Sequence, residues 1–297
     1  MTPRKYILAF LLLFAPCFLL LASAQDSNDE VGMWTELGIE KAITKNWDVG
    51  LDMEYRAQNK ARFSVGLGTS YKVNKYLKFG VNYNFLYSEK NKYKEKYEGE
   101  EGSEEWTRGY NLIDKWYPRH RFSAEAIGSI KFWNWFKVSL RERYQLTHRR
   151  AWTAEKFEHR EKYLSHLVDW DEDGNDIYEI EKTVIDRTEA KPYPTFTDQV
   201  LRSRLKFEYD KKRCPFSPFV SAEFHNSVTR GDHMLLQKIR TAAGCSYKFR
   251  KHNEISLSYL ITFDMYDIEE DEVENTRETV RLHDRLHAIN LGYKYSF

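Results

Sequence analysis

Cysteine is scarce in this chain: three in 297 residues are too few for a disulfide framework. One of them, Cys17, lies in the extreme N-terminal stretch. The other two, Cys214 and Cys245, are expected to remain unpaired thiols, with Cys245 acting as a small apolar side chain. No apolar run beyond Leu21 is long enough for a transmembrane helix. Charge of one sign is lacking too. Lys and Arg number 46 against 45 Asp and Glu, a formal net charge of +1 that leaves no footprint for nucleic acid. His148, His159 and His166 have no zinc-like spacing. Aromatic residues, by contrast, are abundant: 20 Tyr, 18 Phe and 8 Trp. A mean hydropathy of −0.70 looks soluble, but a membrane barrel escapes that test because only alternate residues face lipid.

The first 24 residues have the layout of an export signal. Arg4 and Lys5 are basic, Tyr6 to Leu21 is apolar, and Ala22-Ser23-Ala24 is a small-residue cleavage site. Cleavage after Ala24 would leave Gln25 as the mature N-terminus. From Val31 onward, apolar and polar residues alternate with a period of two. Val31, Met33, Leu37 and Ile39 interleave with Gly32, Trp34, Glu36, Gly38 and Glu40. The pattern then recurs through Trp47–Gln58, Arg62–Val73 and Leu77–Ser88. Strands of about twelve residues are longer than the usual soluble strand and suit a tilted membrane crossing.

Alternation resumes in segments around Phe122–Ile130, Phe136–Leu146, Leu201–Tyr209, Pro218–Phe224, Ile239–Phe249 and Ile255–Met265, and last in His287–Phe297. That final strand, with Tyr293, Tyr295 and the terminal aromatic Phe297, resembles the C-terminal signal by which Gram-negative outer-membrane barrels are recognised for assembly. Charged stretches at 89–117, 148–199 and 267–283 show no strand period and are expected to be long solvated loops. They alternate with short turns, an asymmetry of short periplasmic turns and long extracellular loops. The predicted fold is an all-β, transmembrane, antiparallel up-and-down barrel forming one domain over 25–297. Eleven strands can be counted, and with Phe297 on the periplasmic side the Val31 strand runs in the same direction as the last. Because such barrels normally have an even number, ten to twelve strands are expected, with twelve favoured. The twelfth would come from 148–199, or residues 25–30 would thread the lumen.

The signal segment, the Trp34-to-Tyr55 hairpin and the following meander resemble an uncharacterised family of Gram-negative outer-membrane barrels, a domain of unknown function numbered 2490. The resemblance implies an outer-membrane location reached through the barrel-assembly machinery, with the lipid bilayer as partner. It supplies no activity and no catalytic residues.

The inward rows carry the candidate functional groups: Arg56, Arg62, Arg119, Arg121, Arg141, Arg143, Arg202, Arg204 and Arg240, against Glu54, Glu125, Glu208 and Glu223. In a barrel of this girth such charges pair into a polar core or line a small, mildly anion-preferring pore. A structural scaffold or small pore, without enzymatic activity or cofactor, is therefore the expected function. Two alternatives stand beside it. The 148–199 insertion could bind a ligand at the surface, or His225 and Ser227, spaced as in an outer-membrane phospholipase, could act on lipid; alternation turns this last pair inward. Asp169, Asp171 and Asp173 precede Gly174 as in a calcium loop. The closing Glu would fall at Ile180, so the motif is incomplete.

Overall fold

In a computed structural model of the chain, the described residues are 29–58, 60–98, 105–170, 176–212, 214–229, 234–265, 267–270, 277–280 and 285–297, with backbone only at 167–170, 176–178, 267–270 and 277–280. The expected export signal, residues 1–24, lies outside them.

Among the described residues the elements are all strands: β1 (Glu30–Ala42), β2 (Trp47–Ala57), β3 (Arg62–Lys72), β4 (Leu77–Glu98), β5 (Glu105–Phe132), β6 (Phe136–Arg149), β7 (Trp152–Trp170), β8 (Asp176–Tyr193), β9 (Phe196–Tyr209), β10 (Phe216–Ser227), β11 (Leu236–Phe249), β12 (Asn253–Asp264), β13 (Asp267–Glu270), β14 (Arg277–Val280) and β15 (Arg285–Ser296). They fall into two compact units. The first comprises residues up to Tyr87, Pro118–Arg149 and Thr197–Phe297; the second comprises Ser88–Tyr117 and Arg150–Phe196.

The first unit is a closed barrel. Its strands run in the order β4-β3-β2-β1-β15-β12-β11-β10-β9-β6-β5, and β4 pairs with β5 to complete the ring. Eleven strands close it, not the favoured twelve. An even count is required only if every neighbour is antiparallel. Here β1 and β15 are parallel, in register from Glu30↔Leu286 to Glu40↔Ser296, and one parallel seam closes an odd ring. Other pairings within the ring, such as β1–β2 and β12–β15, are antiparallel. The chain end is tied down at this seam, where Phe297 N–H donates to the Glu40 carbonyl at 2.9 Å and Ser296 N–H to the His252 carbonyl at 2.8 Å.

Alternation gives the wall two unlike faces. Leu37, Leu67, Val81 and Phe122 are each more than half exposed on the outside. Ser64, Arg141, Gln145 and Glu223 are buried on the inside. A wall that is apolar outward and polar inward is stable only with hydrocarbon around it. Around the end bearing the short turns runs an aromatic belt: Trp133 and Trp135 stack at 5.8 Å, Phe216 and Tyr247 meet at 4.7 Å, and Tyr295 meets Phe297 edge-on at 4.8 Å. Amphipathic rings of this kind sit at the level of lipid headgroups. The expected assembly-signal residues Tyr293, Tyr295 and Phe297 occupy the outward row at that end, Tyr293 OH donating to Asn253 Oδ1 at 2.7 Å.

The second unit corrects the reading of 89–117 and 148–199 as loops. The stretches of β4 and β5 that belong to this unit, with β7 and β8, are paired strands. Trp106 lies opposite Tyr163, and Arg160 opposite Ile185. These two strands are not the missing members of the ring; β8 ends the sheet beside β7. A small core of Ile113, Ala154 and Tyr193 is capped by Trp152, and the Tyr117, Trp152 and Tyr193 rings stack at 4.7 and 4.5 Å. In the third expected loop, β13 and β14 form a separate two-stranded sheet.

Candidate functional site

The inward rows of the barrel enclose a cavity of about 530 Å³. Eight arginines line it (Arg56, Arg62, Arg121, Arg141, Arg143, Arg202, Arg204 and Arg240), with Lys206 and Lys294, against Glu36, Asp52, Glu54, Glu223 and Glu254. Most of the sequence-derived candidates therefore share one space. Arg119, Glu125 and Glu208 do not line it. Arg119 and Glu125 sit on the inward row of β5, and Glu125 takes Arg143 Nε at 2.7 Å. Glu208 accepts from Lys206 at 3.1 Å.

Two carboxylates organise the cations. Glu54 holds Arg56 in a bidentate pair at 2.7 and 2.8 Å and Arg62 at 2.5 Å. Glu223 is the deeper hub. Its Oε2 accepts from Arg141 Nη2 at 2.6 Å, and its Oε1 accepts from Arg202 Nε at 2.9 Å and lies 2.8 Å from His225 Nε2. Such fork-shaped, charge-assisted contacts are the strong kind. They account for His225, whose imidazole is bound to the hub carboxylate.

Trp34 fills part of the lumen. It points inward on β1, is only 3% exposed, and is flanked by the guanidinium groups of Arg56 and Arg240 at 3.6 and 4.8 Å from its ring centre. Its indole N–H donates to Gln58 Oε1 at 2.9 Å. Its inward position follows from the alternation; its part in filling the lumen does not. The sequence signal was a large aromatic on the polar row of a strand.

Not every charge is neutralised. Arg204 has no ion pair or hydrogen bond among the described residues. Among the described residues, Arg121 and Arg240 donate only to the Thr147 and Thr262 hydroxyls, each at 3.0 Å, Arg240 also lying over Trp34. On the acidic side, Glu36 accepts an amide N–H from Asn290 and Asp52 one from Asn84, both at 3.2 Å. Gly66 makes room for the second contact, because a Cβ there would collide with both Asn84 and Asp52.

Outside the lumen, Ser203 Oγ donates to Glu142 Oε2 at 2.6 Å on the outward rows of β9 and β6. His287 lies 2.6 Å from the Tyr259 hydroxyl and 3.3 Å from Asp29. The first pair joins a hydroxyl to a carboxylate with no imidazole bonded to either group among the described residues. The second has an imidazole with a phenol. Neither is the serine–histidine pairing that lipid hydrolysis calls for. Cys214 and Cys245 are both free thiols. Asp171 and Asp173 of the calcium candidate lie outside the described residues, as does the Asp169 side chain. Among the described residues, no cluster of three or more His, Cys, Asp or Glu is arranged to hold a metal ion.

Comparison with known proteins adds one decisive match. The family described as a protein of unknown function (DUF2490) matches residues 31–271. The chain belongs to this family. No curated protein matches it. Among solved structures, it is similar to the CymD monoaromatic hydrocarbon channel (10% identity, TM-score 0.35, covering 78% of this chain and 82% of that one). It is also similar to the Pseudomonas putida toluene transporter TodX (9% identity, TM-score 0.29, covering 77% and 76%). A third is the translocator domain of the autotransporter NalP from Neisseria meningitidis (8% identity, TM-score 0.28, covering 87% and 91%).

Proposed function

We propose that this family member is a non-enzymatic integral outer-membrane barrel whose lumen is a narrow solute path with a mild preference for anions. The observation that carries the reading is the cavity inside the barrel, where ten cationic side chains face five carboxylates. Rings of one sign set selectivity in a pore by stabilising the opposite ion as it sheds water. The terminal strand, with Tyr293, Tyr295 and Phe297, would be the segment read by the assembly machinery, and the aromatic belt would seat at the inner leaflet.

Reconstitution of the refolded barrel in planar bilayers tests this directly. Small discrete current steps are expected, and a salt gradient should displace the zero-current potential toward that of chloride. Silence at every voltage would leave a plugged scaffold, and displacement toward potassium would overturn the anion preference.

A further inference from the structure

The unneutralised charges of the lumen are sorted by wall. In the ring of eleven strands, β9 and β6 each lie five strands from β1, so they form the wall opposite it. Glu36 stands on β1 and Asp52 on the neighbouring β2, each oriented by a neutral amide donor and, among the described residues, each without a cation at ion-pair distance. Arg204 stands on β9, facing them, with no hydrogen bond or ion pair among the described residues. Among the described residues, Arg121 on β5 and Arg240 on β11 have only hydroxyl partners for their polar atoms. All five side chains line the same cavity. The ion pairs of the two hub carboxylates stay within a wall: Glu54 with Arg56 and Arg62, and Glu223 with Arg141 and Arg202.

Unpaired charges in a confined space are costly unless something meets them. A simple anion would satisfy the arginines but repel Glu36 and Asp52; a simple cation would do the reverse. A solute with one charge of each sign satisfies both walls at once. We propose that the cavity is a binding site for a small zwitterion, its carboxylate or other anionic group held by Arg204 and its ammonium by Glu36 and Asp52. The volume suits a small molecule. The proposal rests on the lumen being a solute path and names the class of solute.

Calorimetry on the refolded full chain in detergent micelles at low salt tests the site without requiring any current. The probes are 4-aminobutanoate, butanoate and butylammonium, which share a carbon skeleton. The zwitterion should bind more tightly than either singly charged relative by about tenfold, the loss expected for one charge-assisted contact. In Glu36→Gln its advantage over butanoate should vanish while butanoate binding is kept or strengthened. In Arg204→Gln its advantage over butylammonium should vanish. These opposite losses cannot come from general unfolding, and retained heat-modifiable migration on gels checks that each variant is folded. Equal binding of butanoate and the zwitterion, tighter binding of succinate, or no binding of any probe would overturn the site. If bilayers stay silent but the crossed pattern appears, the path fails and the site stands; if current flows without discrimination, the site fails alone.

Discussion

The two units of this protein use the same secondary structure under opposite constraints. In the barrel, each strand separates two media, so its sequence must alternate, and it does: Leu37, Ile39 and Val81 look outward while Glu36, Glu54 and Asn82 look inward. In the second unit the strands are held by contacts between neighbours. Arg108 and Lys182 reach Glu161 from the strands on either side of it, at 2.6 Å each. Trp106 stacks on Tyr163 at 4.0 Å. Apolar residues such as Ile180, Val184 and Ile185 remain about half exposed. A sheet whose faces both meet water has no reason to alternate. Periodicity thus reports the difference between the surroundings of two faces, not the strand itself.

That contrast predicts where substitutions bite. Glu223→Ala should have the largest effect, because it leaves Arg141 and Arg202 buried without their counter-charge, a loss of about 3–5 kcal/mol. The heat-modifiable folded band should disappear or its urea midpoint fall steeply. Glu161→Ala removes an equally well-connected carboxylate from the second unit, yet it should leave the barrel's folded band in place. If both substitutions unfold the barrel alike, the distinction between the units is wrong.

The aromatic rings offer the same comparison at smaller scale. Trp34→Ala empties space in the lumen and removes the ring that lies against two guanidinium groups. It should cost about 3 kcal/mol, as large-to-small core changes do, and enlarge the conductance step. Trp106→Ala removes a stack from a sheet that water reaches and should cost about 1 kcal/mol, with no change in current. Equal losses in urea titrations would mean that Trp34 is not packed within the lumen.

Much of the fold was legible for the reason just given. Every ring strand announced itself by alternation, and counting them from the sequence reached eleven. What misled was the rule of even number, which presupposes antiparallel closure; the counted directions already made the first and last strands run together. The strands of 89–117 and 148–199 were invisible because their ladders of charge and ring pairs carry no period. The cavity's membership was legible from the inward rows, since Arg56, Arg141, Arg202 and Arg240 all follow from parity. Their pairing was not. Which carboxylate serves which arginine depends on register across strands distant in sequence, as with Arg141 and Glu223, 82 residues apart.

The seam admits a sharper test. Leu37 and Tyr293 are register partners on the outward face of the parallel pair, and neighbouring strands lie close enough for a disulfide. With Cys214 and Cys245 replaced by Ser, Leu37→Cys with Tyr293→Cys should cross-link under mild oxidant, giving a shifted band on non-reducing gels. Leu37→Cys with Ile289→Cys, four residues out of register, should not. An extra strand between β1 and β15, as twelve would need, abolishes the first cross-link.

The smallest expected effect concerns pH and again separates the units. Hydrogen bonds from Lys182, Arg108 and Tyr163 hold the Glu161 carboxyl well below the usual carboxylate range. A depressed folded value means that the contribution of Glu161 is complete above the unfolded carboxylate value of about 4.3 and fades only as pH falls through the lower folded value. Hydrogen exchange at β7 amides near Glu161 should therefore keep its protection, relative to the unfolded chain, from neutral pH to about pH 4 and lose it below. In Glu161→Gln that acid-dependent loss should be absent, and protection should start lower. The change should be modest, because this carboxylate is partly open to water, which screens its ion pairs. An identical acid transition in the Gln variant would assign the loss to other carboxylates, such as Glu158, which Lys156, Lys96 and Arg160 also hold down against the opposing effect of burial.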